Sequence, residues 1–454
     1  MKQPNSQYRD RLVEGPLFPA IWHMAYPMVV TLGLHSLFNL VDIYFVGKLG
    51  PDAVAAVGMS GIVMFVVMIF TIGLAVATRA LVARFIGAED YDKAVEVASA
   101  TLTVAMLISA FAGVFGTLLA PQILELLGAD DSVLVLGVQY IRIMFIGMMG
   151  MAFTSAVNSI LQGAGDAKTP MYILLFSNGL NMVLDPMMIL GLGPFPKLGV
   201  TGAAIATVST NGMAAIIGMI ILFRGVKSFK VPIKKIRWNS SRVWQIVKIG
   251  IPAAIQPALG NIVNLAMVRI VSGFGTEAIA ALVLTMRIHM FVMLPGFGLG
   301  TASGTIVGQN LGADNPKRAK RTTWLTCGIL EILFIIVGVP LYIFAPWLIA
   351  QFNDHPEVVV IGASCLRTVI LGYPIFAFVT VLQRAVNGAG VTHVPAIVLA
   401  VALFGVQIPL AILLSRTQFG VRGVFLAMIV AFTIQAIIFV WYFLTDRWTR
   451  REFR

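Results

Sequence analysis

The sequence predicts an all-α integral membrane fold, twelve transmembrane helices in two six-helix lobes related as a parallel repeat. Three observations carry the prediction. Of 454 residues, 58% are hydrophobic and only 11% charged, where soluble domains carry about 25% charged residues. Apolar runs long enough to cross a hydrocarbon core of roughly 30 Å as a helix recur along the whole length. The second half of the chain also repeats the first at a constant offset, the interval that separates Pro27 from Pro252.

The first apolar run, 17–46, follows a polar start from Met1 to Pro16, so the expectation is a retained span rather than a cleavable signal core. It closes on Leu37-Phe38-Asn39-Leu40-Val41-Asp42-Ile43-Tyr44-Phe45-Val46-Gly47. Runs 54–80, 94–121 and 132–161 follow, the first two separated by Gly87-Ala88 and polar residues. The stretch Gly163-Ala164-Gly165-Asp166-Ala167-Lys168-Thr169-Pro170 reads as a tight turn; it lacks the strand and flanking pattern of a phosphate loop. Run 169–193 then carries Asn178, Asn181 and Asp185, and run 199–223 completes a first lobe, residues 1–223. A basic linker, 224–242, leads to the second lobe, 243–454, with runs 243–272, 278–308, 322–349, 357–384, 394–414 and 421–445 and a basic tail.

Orientation follows from where cations fall, since cytoplasmic loops are enriched in Lys and Arg. With the N-terminus inside, 23 of the 32 Lys and Arg lie on that face and only Lys48, Lys197, Arg416 and Arg422 on the other. Both termini are expected to be cytoplasmic, in a cytoplasmic (inner) membrane. The net charge of +12 is accounted for by these loops and anionic headgroups, so no nucleic-acid partner is implied. Cys327 and Cys365 both fall inside predicted helices and support no disulfide framework.

The repeat holds one register across five helices: Asn39-Leu40 returns as Asn264-Leu265, Gly87-Ala88 as Gly312-Ala313, Gly163-Ala164-Gly165 as Gly388-Ala389-Gly390, and Pro170 as Pro395. It then slips by four, Gly199-Val200-Thr201-Gly202 matching Gly420-Val421-Arg422-Gly423. Each half has an even number of spans, so the two start on the same face, a plan known from transporters.

Departures from the repeat mark specialisation. Asp42 aligns with Met267 and Asp185 with Leu410, so these two intramembrane acids belong to the first half alone. A charged group at the centre of a span costs about 2.5–3.5 kcal/mol on insertion scales and is a functional-site hypothesis by default. Asp42, near Gly47, could simply snorkel to the interface. That reading weakens because Asn178, Asn181 and Asp185, at i, i+3 and i+7, form one helical stripe and Asn39 and Asp42 another, with the two acids at matched depth. Thr207, roughly 12 Å along the next helix, can join them. Oxygen-rich clusters of this kind suit a hard cation such as Na⁺; equally, paired carboxylates resist simultaneous ionisation and can hold a proton. Glu331, the third intramembrane acid, reads as half of a second-lobe ion pair with Arg287. His23, His35 and His289 have no ligand spacing.

These residues resemble the multidrug and toxic compound extrusion (MATE) transporters, in particular the DinF-like branch. The likeness covers essentially the whole chain and rests on Pro27, the LFNLVDIYFVGKLG run, GAGDAKTP, NMVLDP and GVTGAAIAT. It implies the MATE fold, a coupling-cation site for H⁺ or Na⁺ at Asp42, Asn181, Asp185 and Thr207, and no other metal or cofactor. It implies a cavity for small amphipathic, often cationic, organic compounds, with Asn39, Asn158 and Asn178 as cavity candidates. A second branch of the family carries acids in its seventh and tenth helices; here those places hold Gly260 and uncharged residues near Ala377.

The functional expectation is a secondary-active efflux antiporter working by alternating access, monomeric, with organic substrates and the lipid bilayer as partners and no catalytic residues. The nearest alternative is a flippase for a lipid-linked precursor, which calls for a larger and more basic cavity. An intramembrane aspartyl enzyme using Asp42 and Asp185 is a third reading, which the parallel duplication gives no reason to prefer.

Overall fold

The computed structural model describes residues 7–225, 229–232 and 238–450. Among them it shows helices and no strand. A short helix α1 (Gln7–Val13) precedes α2 (Leu17–Gly47), α3 (Pro51–Gly87), α4 (Tyr91–Leu126), α5 (Asp131–Ile146), α6 (Met148–Gly163), α7 (Lys168–Leu190) and α8 (Val200–Arg224). The second half runs α9 (Ser240–Val271), α10 (Thr276–Gly312), α11 (Pro316–Ile343), α12 (Ala345–Ala350), α13 (Pro356–Leu371), α14 (Tyr373–Gly388), α15 (His393–Ala400), α16 (Ile408–Ser415) and α17 (Gly420–Leu444). Ten of the resulting helical stretches are long and apolar enough to cross a membrane, and two bent pairs bring the total to twelve.

Element boundaries obey the repeat as closely as the residues do. Helices α3 and α10 begin and end one repeat apart, as do α5 and α13, and α6 and α14. The turns match as well. Glu89 and Asp314 both take a left-handed backbone, and the next residue caps the following helix: Asp90 accepts from the Lys93 backbone N–H at 3.2 Å, Asn315 from that of Arg318 at 3.0 Å. GAGDAKTP is a turn of the same economy, with Gly165 left-handed and Asp166 accepting from the Thr169 backbone and hydroxyl at 3.0 and 2.7 Å.

Two runs expected as continuous spans are broken. The fourth, expected over 132–161, bends by 45° at Gly147, and the tenth, expected over 357–384, by 54° at Gly372. The two glycines are again one repeat apart. Apolar sequence continues through both sites, so hydropathy carries no sign of the bend. The eleventh span also departs from its partner α7: between α15 and α16 it widens into a π-helical stretch, Val401–Gln407.

The chain forms two compact units, Met1–Gly15 with Val30–Ala254, and Pro16–Val29 with Ile255–Arg454. This differs from lobes divided at the linker. The first part of α2 packs in the second unit and the first part of α9 in the first, and the crossover points, after Val29 and after Ala254, are themselves one repeat apart. Small residues make both packings possible. A Cβ on Gly73 of α3 would strike the Gly250 carbonyl of α9, and one on Gly298 of α10 would strike Val29 of α2.

Within the first unit, a core of Val46, Met64, Leu124, Ile141, Phe145, Met148 and Ile189 draws on α2 through α7. Helix α1 is fastened there by Arg9, which pairs with Glu89 at 2.8 Å, and by buried Leu12 and Val13. Arg242, at the start of α9, pairs with Glu96 at 2.9 Å and lies 5.1 Å over the Phe85 ring. The second unit is tied by close contact of Gly304 on α10 with Gly388 on α14. Gln256 on α9 accepts from Gln383 and Asn387 of α14 at 2.9 and 3.0 Å. Its far end is closed by Trp448, fully buried and stacked on Phe443 at 4.5 Å.

Candidate functional site

Helix α7 can form through its polar stripe because Asn178, Asn181 and Asp185 fall on one face while leucine, methionine and valine fill the others. Asn181 and Asp185 are 1% and 0% exposed. Asn181 Nδ2 donates to Asp185 Oδ1 at 3.1 Å. That single bond is all the described residues give the pair. Asp185 Oδ2 and Asn181 Oδ1 are buried with no hydrogen-bond partner, and so is Oδ1 of Asp42 on α2.

Three bare acceptor oxygens from two helices, two of them carboxylate, are costly in a protein interior, where nearly all buried polar groups are paired. Asp42 and Asp185 are close enough for their charges to act on one another, and both act on the buried Tyr140 of α5. A monovalent cation takes this donor set naturally: hard oxygen ligands, anionic and amide together. A proton shared by the carboxylates answers the same electrostatic problem.

The supporting layer is built from α6, α7 and α8. Ser177 Oγ donates to the Thr210 carbonyl at 2.9 Å and Thr154 Oγ1 to the Asn211 carbonyl at 3.2 Å. Thr207, expected beside the acids, is half-buried on α8. Its carbonyl accepts from Asn211 at 2.9 Å and Thr210 at 3.1 Å; among the described residues no hydrogen bond links it to Asp42, Asn181 or Asp185.

Among the described residues no hydrogen bond joins the three cavity candidates to one another. Asn39 is exposed and bonds the His35 carbonyl of its own helix at 3.0 Å. Asn178 is half-buried one turn before Asn181, and Asn158 on α6 is half-buried with its Oδ1 bare. Tyr140 is the residue sequence reasoning missed, since a tyrosine in an apolar helix reads as packing.

The expected ion pair of Glu331 with Arg287 is corrected. Among the described residues neither makes one, and Glu331 Oε2 is buried without a partner. Arg287 shares the exposed stripe of α10 with Val283, Met290 and Phe291, so its guanidinium is carried on an exposed face of its helix.

Comparison with known proteins agrees with this architecture. The MatE family profile matches residues 27–187 and again 252–413, so its two matches begin one repeat apart. The probable multidrug resistance protein YoeA of Bacillus subtilis is 28% identical, with 94% of each chain covered. The probable multidrug resistance protein NorM of Thermotoga maritima is 27% identical over 94% of this chain and 92% of its own. Among solved structures, a multidrug resistance MATE family transporter in an outward-facing conformation superposes with a TM-score of 0.90 at 24% identity, covering 98% of both chains. MATE in a bent conformation gives 0.90 at the same identity, over 97% of this chain and 98% of its own. The structural likeness speaks for the fold and the family profile for descent: the chain belongs to the MatE family of multidrug transporters.

Proposed function

We propose that the protein is a secondary-active antiporter of the cytoplasmic membrane, with both termini in the cytoplasm, that exports small amphipathic organic compounds in exchange for H⁺ or Na⁺. The observation that carries this reading is the set of bare buried oxygens of Asp42, Asn181 and Asp185. An interior that leaves one oxygen of each of two carboxylates without a donor is stabilised when a cation or proton joins them. The site is therefore a place where binding an ion changes the energy of the surrounding helices, which is what coupling requires. The coupling ion is the only cofactor in this reading, and one chain contains the whole site, so the monomer is the working unit.

The curated relatives named for multidrug resistance support organic export. The test is efflux of ethidium from liposomes holding the purified protein, with a pH gradient and a Na⁺ gradient imposed separately. Export driven by one of them, absent without either, is the expected outcome. Equal ethidium movement with and without both gradients would sink the reading.

A further inference from the structure

Arg142 and Arg367 each lie inside a span, outside both the cation site and the basic loops. Arg142 on α5 donates its Nε–H to the Thr117 carbonyl of α4 at 3.3 Å, and Arg367 on α13 donates its own to the Tyr342 carbonyl of α11 at 3.1 Å. Donor and acceptor of the second bond each stand one repeat on from those of the first. The carbonyls are free for a reason written in the chain. The residue four positions later, whose N–H would close the helical bond, is Pro121 in one case and Pro346 in the other, and proline has no N–H. In a bilayer an unpaired backbone group costs several kcal/mol, and the guanidinium supplies the missing donor.

That bond leaves most of the guanidinium's N–H donors unused, although at Arg367 the group also lies 5.5 Å over the Tyr342 ring. Arginine has five N–H donors, and the carbonyl takes one. Arg142 is exposed and Arg367 partly so, and neither has an ion-pair partner among the described residues. Where an exposed side of a span meets the bilayer, the acceptors on offer are those of the lipid itself. Of these, a phosphate matches the fork of a guanidinium in both charge and geometry.

Room for the rest of such a molecule adjoins Arg142. Thr117 itself lines a groove of about 420 Å³ with Ala110, Gly113, Val114, Leu118 and Ile146. We propose that Arg142 and Arg367 each hold the phosphate of a membrane phospholipid, at Arg142 with an acyl chain in the adjoining groove. Each lipid then braces the half-span that precedes a bend, since Gly147 and Gly372 follow the arginines at the same short spacing.

The test uses the full chain in nanodiscs of equal parts phosphatidylglycerol and digalactosyl diacylglycerol, which share tails and differ in phosphate. Lipids retained after transfer to detergent are counted by native mass spectrometry. Wild type should retain two phosphatidylglycerol molecules over the galactolipid, Arg142→Gln and Arg367→Gln one each, and the double variant none. The variant Arg142→Lys/Arg367→Lys keeps the charge and should keep the preference, which separates lost recognition from lost folding. Unchanged phosphatidylglycerol retention by a monodisperse double Gln variant would overturn the proposal. So would displacement of the lipid by millimolar inorganic phosphate, which would make the occupant a free anion.

Discussion

At Asp185 one carboxylate oxygen is held by Asn181 and the other by nothing among the described residues, so the side chain contributes little to stability. Asp185→Asn and Asp42→Asn should leave the melting temperature of the purified protein unchanged or raise it, while gradient-driven export falls to background. Asn181→Ala removes one neutral donor and one ligand oxygen; a loss of about 1–3 kcal/mol predicts export weakened on the order of tenfold. Because the two acids serve one event, the double Asn variant should be no worse than either single one. A well-expressed Asp42→Asn protein with full export would refute the assignment. The stripe that places Asn181 against Asp185 was legible, since i, i+3 and i+7 share a helical face whatever the tertiary packing. The surroundings were not: Tyr140 and the exposed face of Arg287 are set by how whole helices rotate against their neighbours, which periodicity within one helix does not encode.

Among the elements, the number and order of helices follow from apolar length, and the capped turns at Asp90 and Asn315 from residue type. The bends at Gly147 and Gly372 leave no trace in hydropathy; only their shared register, together with the upstream Pro121 and Arg142 and their counterparts, sets them apart from the chain's other glycines. The proline and arginine act as one device, and a double-mutant cycle can show it. Pro121→Ala restores an N–H for the Thr117 carbonyl, so Arg142→Gln should cost less stability in that background than in wild type. The coupling should be about 1 kcal/mol, the worth of one such bond, read from thermal unfolding in detergent. Equal costs in both backgrounds would separate the two residues. Close helix contact supplies another measurement. A side chain at Gly388 would overlap the Gly304 backbone, and Gly388→Val should destabilise by about 1–3 kcal/mol or more, whereas Gly328, with open space around it, should accept Ala without loss.

For the molecule as a whole, the repeat was readable from aligned residues, but the partition of α2 and α9 was not. Sequence places the natural division at the basic linker, because that is where the repeat ends. The fold places it inside two helices, after Val29 and after Ala254, because Gly73 admits α9 and Gly298 admits α2 at backbone distance. Each unit therefore contains a piece of chain from the other half of the sequence. A chain cut between residues 225 and 238 leaves a C-terminal fragment without Pro16–Val29 and an N-terminal fragment without the start of α9. Either fragment expressed alone should be degraded or aggregate, with an apolar seam unfilled; expressed together, they should copurify and restore export. Two simple lobes joined by a tether would behave otherwise, each fragment folding alone with the thermal stability of the intact chain, and that result would show the exchanged segments to be dispensable. Gly73→Leu sharpens the comparison. It should weaken copurification of the two fragments far more than it destabilises the intact chain, because in the intact chain the linker keeps the start of α9 at high local concentration.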